Sequence, residues 1–296
     1  MAKINYNYWI AATRPKTLPA GFVPVILGSS IAFADGKFNL FLAIITLICS
    51  TVLQIISNFV NEIYDYTKGT DSTERLGPKR MVASGFISVD EMTKGTIILA
   101  CVAALLGTVI ICMSDLWVLL IGVAALAFAW MYTGGPYPLS YHGLGDLFVF
   151  IFFGIIAVNG SYYVQTLSFS PIVLLASIAT GFLSMNILGV NNFRDIDTDP
   201  KSGKLTLSSM LGHDNCIIFY EALCFGAFCV PIVLAVVQKN WFNLLPLLAI
   251  PLGLKLINEI KTFKGEQLNK VLAGSGQLVL IHGILSSLGF ILYRII

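Results

Sequence analysis

Two short polar stretches interrupt an otherwise apolar chain. In the first, NEIYDYTKGTD, Asn61 and Asp65 are four residues apart; in the second, NNFRDIDTDPKSGK, Asn191, Asp195 and Asp199 follow one another at the same interval. Residues i and i+4 share a helix face, so each set projects a stripe of oxygen donors one way. Asn191 and Asp195 follow Asn61 and Asp65 by the same 130 residues, which suggests two copies of one helical device, as in membrane folds built from repeats. Carboxylates so arranged are hard ligands suited to Mg²⁺, which reserves part of its shell for water and substrate phosphate. Bases accompany both sets: Lys68, Arg75, Lys79 and Arg80 behind the first, Arg194, Lys201 and Lys204 around the second. Arg suits bidentate phosphate contacts and Lys point-charge contacts. Together they read as a magnesium–diphosphate site. Glu74, Lys79, Asp197 and Lys201, taken singly, also fit an ordinary solvated loop. That reading is weaker for Asn61, Asp65, Asn191, Asp195 and Asp199, whose spacing continues an apolar helix.

The elements that must carry these residues are membrane helices. The 296 residues are 56% hydrophobic and 11% charged, with a mean hydropathy of +0.83, against about 25% charged in water-soluble domains. Nine apolar runs have the length needed to cross about 30 Å of hydrocarbon: Leu18–Ala34, Leu40–Glu62, Thr93–Met113, Leu116–Thr133, Gly145–Gln165, Pro171–Val190, Asn215–Val237, Trp241–Ile260 and Gln277–Tyr293. They are continuous rather than alternating, which excludes barrel strands. No polar stretch is long enough to build a soluble core, so residues 1–296 are expected to form a single domain. Arg14 and Lys16 precede any long apolar core, unlike a cleavable signal. Of the 18 Lys and Arg residues, all but Lys37, Lys239 and Arg294 fall on the N-terminus and the even-numbered connections. The positive-inside rule then puts the N-terminus in the cytoplasm, and nine spans put the C-terminus outside. The six cysteines sit in or beside apolar runs with no C-x-x-C pair, so they read as core residues rather than metal ligands.

The polar information thus gathers on the cytoplasmic face, including a third connection, YTGGPYPLSYHGLGD. A diphosphate site at the mouth of an apolar helical bundle points to a substrate with a diphosphate head and an apolar tail, a polyprenyl diphosphate. Metal and bases would stabilise charge on the departing diphosphate. The allylic cation left behind needs a π-rich wall, and Tyr64, Tyr132, Tyr137 and Tyr141 are candidates by position, although each also suits an interfacial aromatic belt. A cation or solute transporter is the alternative of a different class, because ionisable residues at helix ends also mark ion paths. Against it, the acids cluster at one face and the outside loops hold almost nothing for a second gate. Nucleic acid is not an expected partner, and nothing in the sequence specifies an oligomeric state.

Five ordered blocks carry a family resemblance: WIAATRPKTLPA, N-x-x-x-D with KGTD behind it, GPKRMVASG, YTGGPYPLSYHGLGDLFVFIFFG and NNFRDIDTDPKSGKLTL. Over nearly its whole length the chain resembles the UbiA superfamily of intramembrane aromatic prenyltransferases, and within it the branch that prenylates 1,4-dihydroxy-2-naphthoate in menaquinone synthesis. The resemblance implies an all-α integral membrane protein with nine transmembrane helices bundled around a central cavity. It implies multi-pass residence in the cell's inner (plasma) membrane, with the active site facing the cytoplasm. Asp65, Asp71, Asp195 and Asp199 would hold Mg²⁺, with Glu62 a further ligand where the family usually has Asp. Arg75, Arg80, Arg194 and Lys204 would contact diphosphate, joined by Lys68, while Tyr64, Tyr137 and His142 would bind substrate. Asn61, Asn191 and Tyr132 complete the catalytic set. The implied reaction joins the prenyl group of a polyprenyl diphosphate to the ring carbon bearing the carboxylate, with loss of CO₂ and oxidation to the quinone level. Neither a nucleophilic Ser or Cys nor an organic cofactor is needed. Within the superfamily, 4-hydroxybenzoate or another aromatic acceptor stays open as the alternative. His213 and His282 read as structural.

Overall fold

A computed structural model of the chain describes residues 5–70 and 76–296. Two candidate site residues, Asp71 and Arg75, lie outside them. The described residues form ten helices: α1 Tyr6–Ala12, α2 Pro19–Ala34, α3 Leu40–Thr67, α4 Val89–Met113, α5 Val118–Met131, α6 Gly145–Thr166, α7 Pro171–Arg194, α8 Leu207–Gln238, α9 Trp241–Thr262 and α10 Leu268–Ile295. Seven are long and apolar enough to cross a membrane, and the α1–α2 pair, bent by 57°, is an eighth candidate. The protein is therefore a multi-pass integral membrane protein. The fourth expected span, Leu116–Thr133, is the apolar helix α5 of 14 residues. At 1.5 Å per residue it covers about 21 Å, less than the hydrocarbon thickness of about 30 Å. Just before it, Asp115 accepts from the Trp117 amide at 3.1 Å, and the TGGP stretch stops it at the far end. Elsewhere helices outrun their apolar parts, as α8 and α10 do at their N-termini. Backbone hydrogen bonding continues past the point where burial in lipid ends.

Local sequence explains the breaks that matter. Pro15 and Pro19 each lack an amide proton, so the entry segment cannot run as one helix. It passes through a short 3₁₀ turn at Pro15–Thr17, and Arg14 takes a left-handed conformation with φ 53°. Asn39 starts α3 by accepting from the Leu42 amide at 3.1 Å. Ser88 and Glu91 form a reciprocal capping box that starts α4.

The main core lies among α2, α6, α7, α8, α9 and α10, with Leu27, Val158, Leu183, Ala227, Leu256 and Leu278 all within 2% of full burial. Midway along α6 the ladder loosens to a π-helical stretch, Phe150–Ile156. There a Cβ on Gly154 would lie 2.7 Å from the Gly181 Cα, so α6 and α7 meet backbone to backbone. Gly189 has open space around it and makes no such contact. A second cluster, Ala12, Phe59, Ile63, Met81, Val82, Ile87 and Met92, packs under the loop between α3 and α4. That packing holds Arg80 over the end of α3.

Candidate active site

The polar end of α3 carries Asn61, Glu62, Tyr64 and Asp65 before the helix stops at Gly69. Gly69 takes φ +74°, its amide bonds Tyr66 O, and the Thr70 amide reaches back to Asp65 O at 2.9 Å. This is a Schellman ending, for which a left-handed glycine is the natural residue. Glu62 and Asp65 are 2% and 5% exposed, and one guanidinium serves both. Arg80 Nη1 donates to Glu62 Oε1 and Nη2 to Asp65 Oδ2, each at 3.3 Å. Glu62 Oε2 also accepts from the Val82 amide at 3.1 Å, and Arg14 Nη2 lies 3.9 Å from Oε1. Tyr141 OH donates to Asp65 Oδ1 at 3.0 Å. Asn61 Oδ1 accepts from the Thr133 hydroxyl.

The second motif departs from the first: α7 stops at Arg194 with Asp195 as its C-cap, and Asp199 follows on a separate 3₁₀ turn, so Asn191, Asp195 and Asp199 do not form one helical stripe as their spacing suggested. Arg194 grips Asp195 with two bonds, Nε to Oδ1 at 2.9 Å and Nη2 to Oδ2 at 2.5 Å. It also donates to Asn191 Oδ1 at 3.0 Å and to Asn269 Oδ1 on α10 at 2.8 Å. Asn269 in turn donates to Leu76 O, in the loop that follows the first motif. After Asp199 the chain makes one 3₁₀ turn. Gly203, at φ +75°, returns it so that the Lys204 amide bonds Asp199 O and Lys204 Nζ sits 3.3 Å from Asp199 Oδ2. Burial pushes the Asp199 carboxyl up to about 6, with Lys204 pulling it down and Asp195 pushing it up. The Leu205 amide bonds Tyr141 O at 3.2 Å, which stitches this motif to the third loop.

These helix ends crown a chamber of about 320 Å³ lined by Asn61, Glu62, Asp65, Arg80, Asn191 and Lys204. Phe128, Tyr132 and Phe153 also wall it. Gln54, Ser57, Phe128 and Phe153 also line a second, mainly apolar chamber of about 350 Å³ between α3, α4, α5 and α6. A polar head and an apolar tail thus have adjoining compartments.

Not every candidate from the sequence reaches the chamber. Asp195 and Asp199 stand in the ion-pair layer beside it. Tyr64 packs edge-on against Trp130, ring centroids 6.0 Å apart. Lys68 lies 4.4 Å from the Tyr141 ring centroid and donates to Thr133 O at 3.1 Å. Tyr137 and His142 stack on each other with centroids 3.7 Å apart, exposed and outside the chamber lining. Their pairing is local to the third loop, which turns them away from the acids. Arg14, Lys16, Asn58 and Asn192 do line the chamber, although in the sequence the first two stand out only as N-terminal charge within the WIAATRPKTLPA block. Arg14 carried one usable signal, its position before Pro15. Its place is set by Asn58, which donates to Thr13 O at 2.9 Å.

Among the described residues no three acids, histidines or cysteines converge on one point. The acids stand as two pairs, Glu62 with Asp65 and Asp195 with Asp199. Two carboxylates per ion are what Mg²⁺ ordinarily takes from protein when substrate phosphate completes its shell, so the donor chemistry fits. Each acid already faces a base, and this compensates charges that would otherwise be costly to bury.

Residues 21–273 match the UbiA prenyltransferase family. The chain is 36% identical to a 1,4-dihydroxy-2-naphthoate octaprenyltransferase of Haemophilus influenzae, covering 99% of this chain and 98% of the relative. It is 32% identical to the protein of the same name from Mycobacterium leprae, covering 95% of each. Among solved structures, a UbiA homolog from Aeropyrum pernix K1 superposes with a TM-score of 0.69 at 17% identity, over 95% of this chain and 98% of that one. One from Archaeoglobus fulgidus bound to GPP and Mg²⁺ gives 0.68 at 15% identity, over 96% and 99%. With a match running from α2 into α10 and the same all-helical architecture, the chain belongs to the UbiA prenyltransferase family.

Proposed function

We propose that the protein transfers a polyprenyl group from polyprenyl diphosphate to 1,4-dihydroxy-2-naphthoate, with loss of CO₂, at the cytoplasmic face of the inner membrane. The observation that carries this reading is the pair of acid–base clusters above a chamber that adjoins an apolar one. The full-length relatives named for the naphthoate acceptor support the choice of ring. We read residues 1–296 as one unit of nine spans around the chamber. The bent α1–α2 pair and short α5 count as one span each, and the N-terminus is cytoplasmic.

Glu62, Asp65, Asp195 and Asp199 would hold Mg²⁺, with Asp71 and the two asparagines, Asn61 and Asn191, as further oxygen donors. Magnesium there supplies charge neutralisation for the departing diphosphate. Arg80, Arg194 and Lys204 now neutralise the acids; with metal and substrate present they are placed to turn toward phosphate oxygens, as is Lys68, and Arg75 is assigned to the same group by its place in the sequence. The bond from prenyl C1 to the diphosphate oxygen breaks and both electrons leave with diphosphate. Phe128, Phe153 and Tyr132 face the resulting allylic cation and exclude water from it. The ring carbon bearing the carboxylate attacks C1. Loss of CO₂ returns the electron pair to the ring, so the immediate product is the quinol, and oxidation to the quinone requires no group on this chain. The side chains of Tyr64, Tyr137 and His142 contribute at the loop surface, outside the chamber lining.

The test is a product assay on the purified protein with Mg²⁺, mixed prenyl diphosphates, and 1,4-dihydroxy-2-naphthoate competing with 4-hydroxybenzoate. Prenylated, decarboxylated naphthoquinol should dominate, and Asp195→Ala should lower turnover by at least about 100-fold. Prenylated benzoate as the main product would move the acceptor to a single ring. A near-normal rate for the variant would falsify the assigned role of Asp195.

A further inference from the structure

Two turns below the Asn and Asp residues, the same two helices present another matched pair. Gln54 precedes Asn61 by seven residues on α3, and Ser184 precedes Asn191 by seven on α7. Gln54 and Ser184 are therefore separated by the same 130 residues as Asn61 and Asn191. Seven residues of helix place each about 10 Å deeper than its asparagine. Both line the chamber, and both carry a buried polar atom without a hydrogen-bond partner: Gln54 Oε1 and Ser184 Oγ.

Neither atom is idle for lack of an ordinary alternative. Helical hydroxyls here usually bond back to a carbonyl one turn earlier, as Ser177 does to Leu174 O at 2.6 Å on the same helix. Ser184, only 2% exposed, makes no such bond. The stem of Gln54 is held against α2, where a Cβ on Gly21 would lie 2.9 Å from the Gln54 Cβ, so only glycine leaves it room. A buried polar atom without a partner is costly unless a ligand supplies one. An amide oxygen can only accept, so its missing partner is an O–H or N–H donor, while a serine hydroxyl can serve in either role. The same chamber is walled by the aromatic rings of Phe128, Phe153 and Tyr132.

We propose that Gln54 and Ser184 read the two opposed hydroxyl groups of a dihydroxylated aromatic acceptor, one at each end of the ring. The proposal rests on the prenyl-transfer reading above and deepens it, assigning acceptor specificity to an uncharged tier beneath the diphosphate tier. One hydroxyl donates to Gln54 Oε1 and the other exchanges a bond with Ser184 Oγ, while the aromatic walls hold the ring faces. A ring with one hydroxyl leaves one of the two positions unanswered.

The experiment varies each substrate separately with the purified full chain and Mg²⁺, comparing wild type, Gln54→Leu and Ser184→Ala. 1-Hydroxy-2-naphthoate, which lacks one of the two hydroxyls, is measured as a competitive inhibitor. Each variant should raise KM for 1,4-dihydroxy-2-naphthoate about tenfold, the factor that one ordinary hydrogen bond supplies. KM for the prenyl diphosphate should stay within about twofold, which also reports a folded site. With the monohydroxy inhibitor, one variant should bind as wild type does, because its partner hydroxyl is gone. Gln54→Asn and Ser184→Thr should recover part of the loss. Unchanged acceptor KM in both variants, or a shift in prenyl diphosphate KM instead, overturns the tier while leaving prenyl transfer standing. No diphosphate release by the wild type with any aromatic acceptor overturns both.

Discussion

At the residue scale, the site holds four described carboxylates whose charges are met from within the protein. Arg80 is the most exposed to test, since one guanidinium faces both Glu62 and Asp65. Replacing one partner of a buried ion pair leaves an uncompensated charge and costs about 3–5 kcal/mol. Arg80→Met should therefore lower the unfolding temperature in detergent, and added Mg²⁺ should restore part of the loss by taking the place of the missing cation. Asp199 gives a pH signature. Its carboxyl is raised to about 6, above the ordinary value near 3.9, so ionisation works against the fold. That destabilisation is fully present above about pH 6 and disappears as pH falls toward about 4. Protons also compete with metal at this group. The stabilisation by Mg²⁺, measured as a shift in melting temperature, should shrink below about pH 6 and reach its plateau above pH 7.

At the element scale, helix ends matter more than helix interiors. α3 and α7 deliver similar chemistry because each ends within two residues of its motif aspartate, Asp65 or Asp195, and Gly69 and Gly203 turn the following chain back. One close contact of α7 is the backbone-to-backbone approach of Gly181 to Gly154 on α6. Gly154→Val forces the backbones apart and should cost about 1–3 kcal/mol, with a drop in the yield of folded protein after extraction. Gly189→Ala, in open space on the same helix as Gly181, should leave thermal stability and turnover unchanged. Nothing in the flanking apolar sequence separates Gly154 from Gly189, since a close backbone approach depends on what lies across from the glycine.

At the scale of the whole molecule, the charge asymmetry is the basis of the proposed orientation, with the N-terminus cytoplasmic. Impermeant maleimide should label Lys201→Cys only from the cytoplasmic side and Lys239→Cys only from the opposite side, in sealed vesicles of known polarity. Labelling of both from one side would remove the nine-span orientation. The two chambers share Gln54, Ser57, Phe128 and Phe153 as a common boundary. The polar compartment therefore adjoins an apolar one. That layout favours a substrate with one charged end over an ion in transit.

The sequence by itself determined the membrane class, the helical architecture, the two repeated acid motifs and the bases that accompany them. Those features are local: apolar run length, i and i+4 spacing and charge asymmetry are all written along the chain. Tertiary structure decided the rest. It gave Arg80 to Glu62 and Asp65 together, kept Arg194 and Lys204 with their own motif, and tied α10 in through Asn269. It brought Arg14 to the chamber by breaking the entry helix, and it stacked Tyr137 on His142 away from the acids. It also put Gln54 and Ser184 in the lining of one chamber, each with an unpartnered polar atom and with no likeness of residue type to announce it. Such facts depend on which side chains meet across helices far apart in the chain, and only the packing of the bundle fixes those meetings.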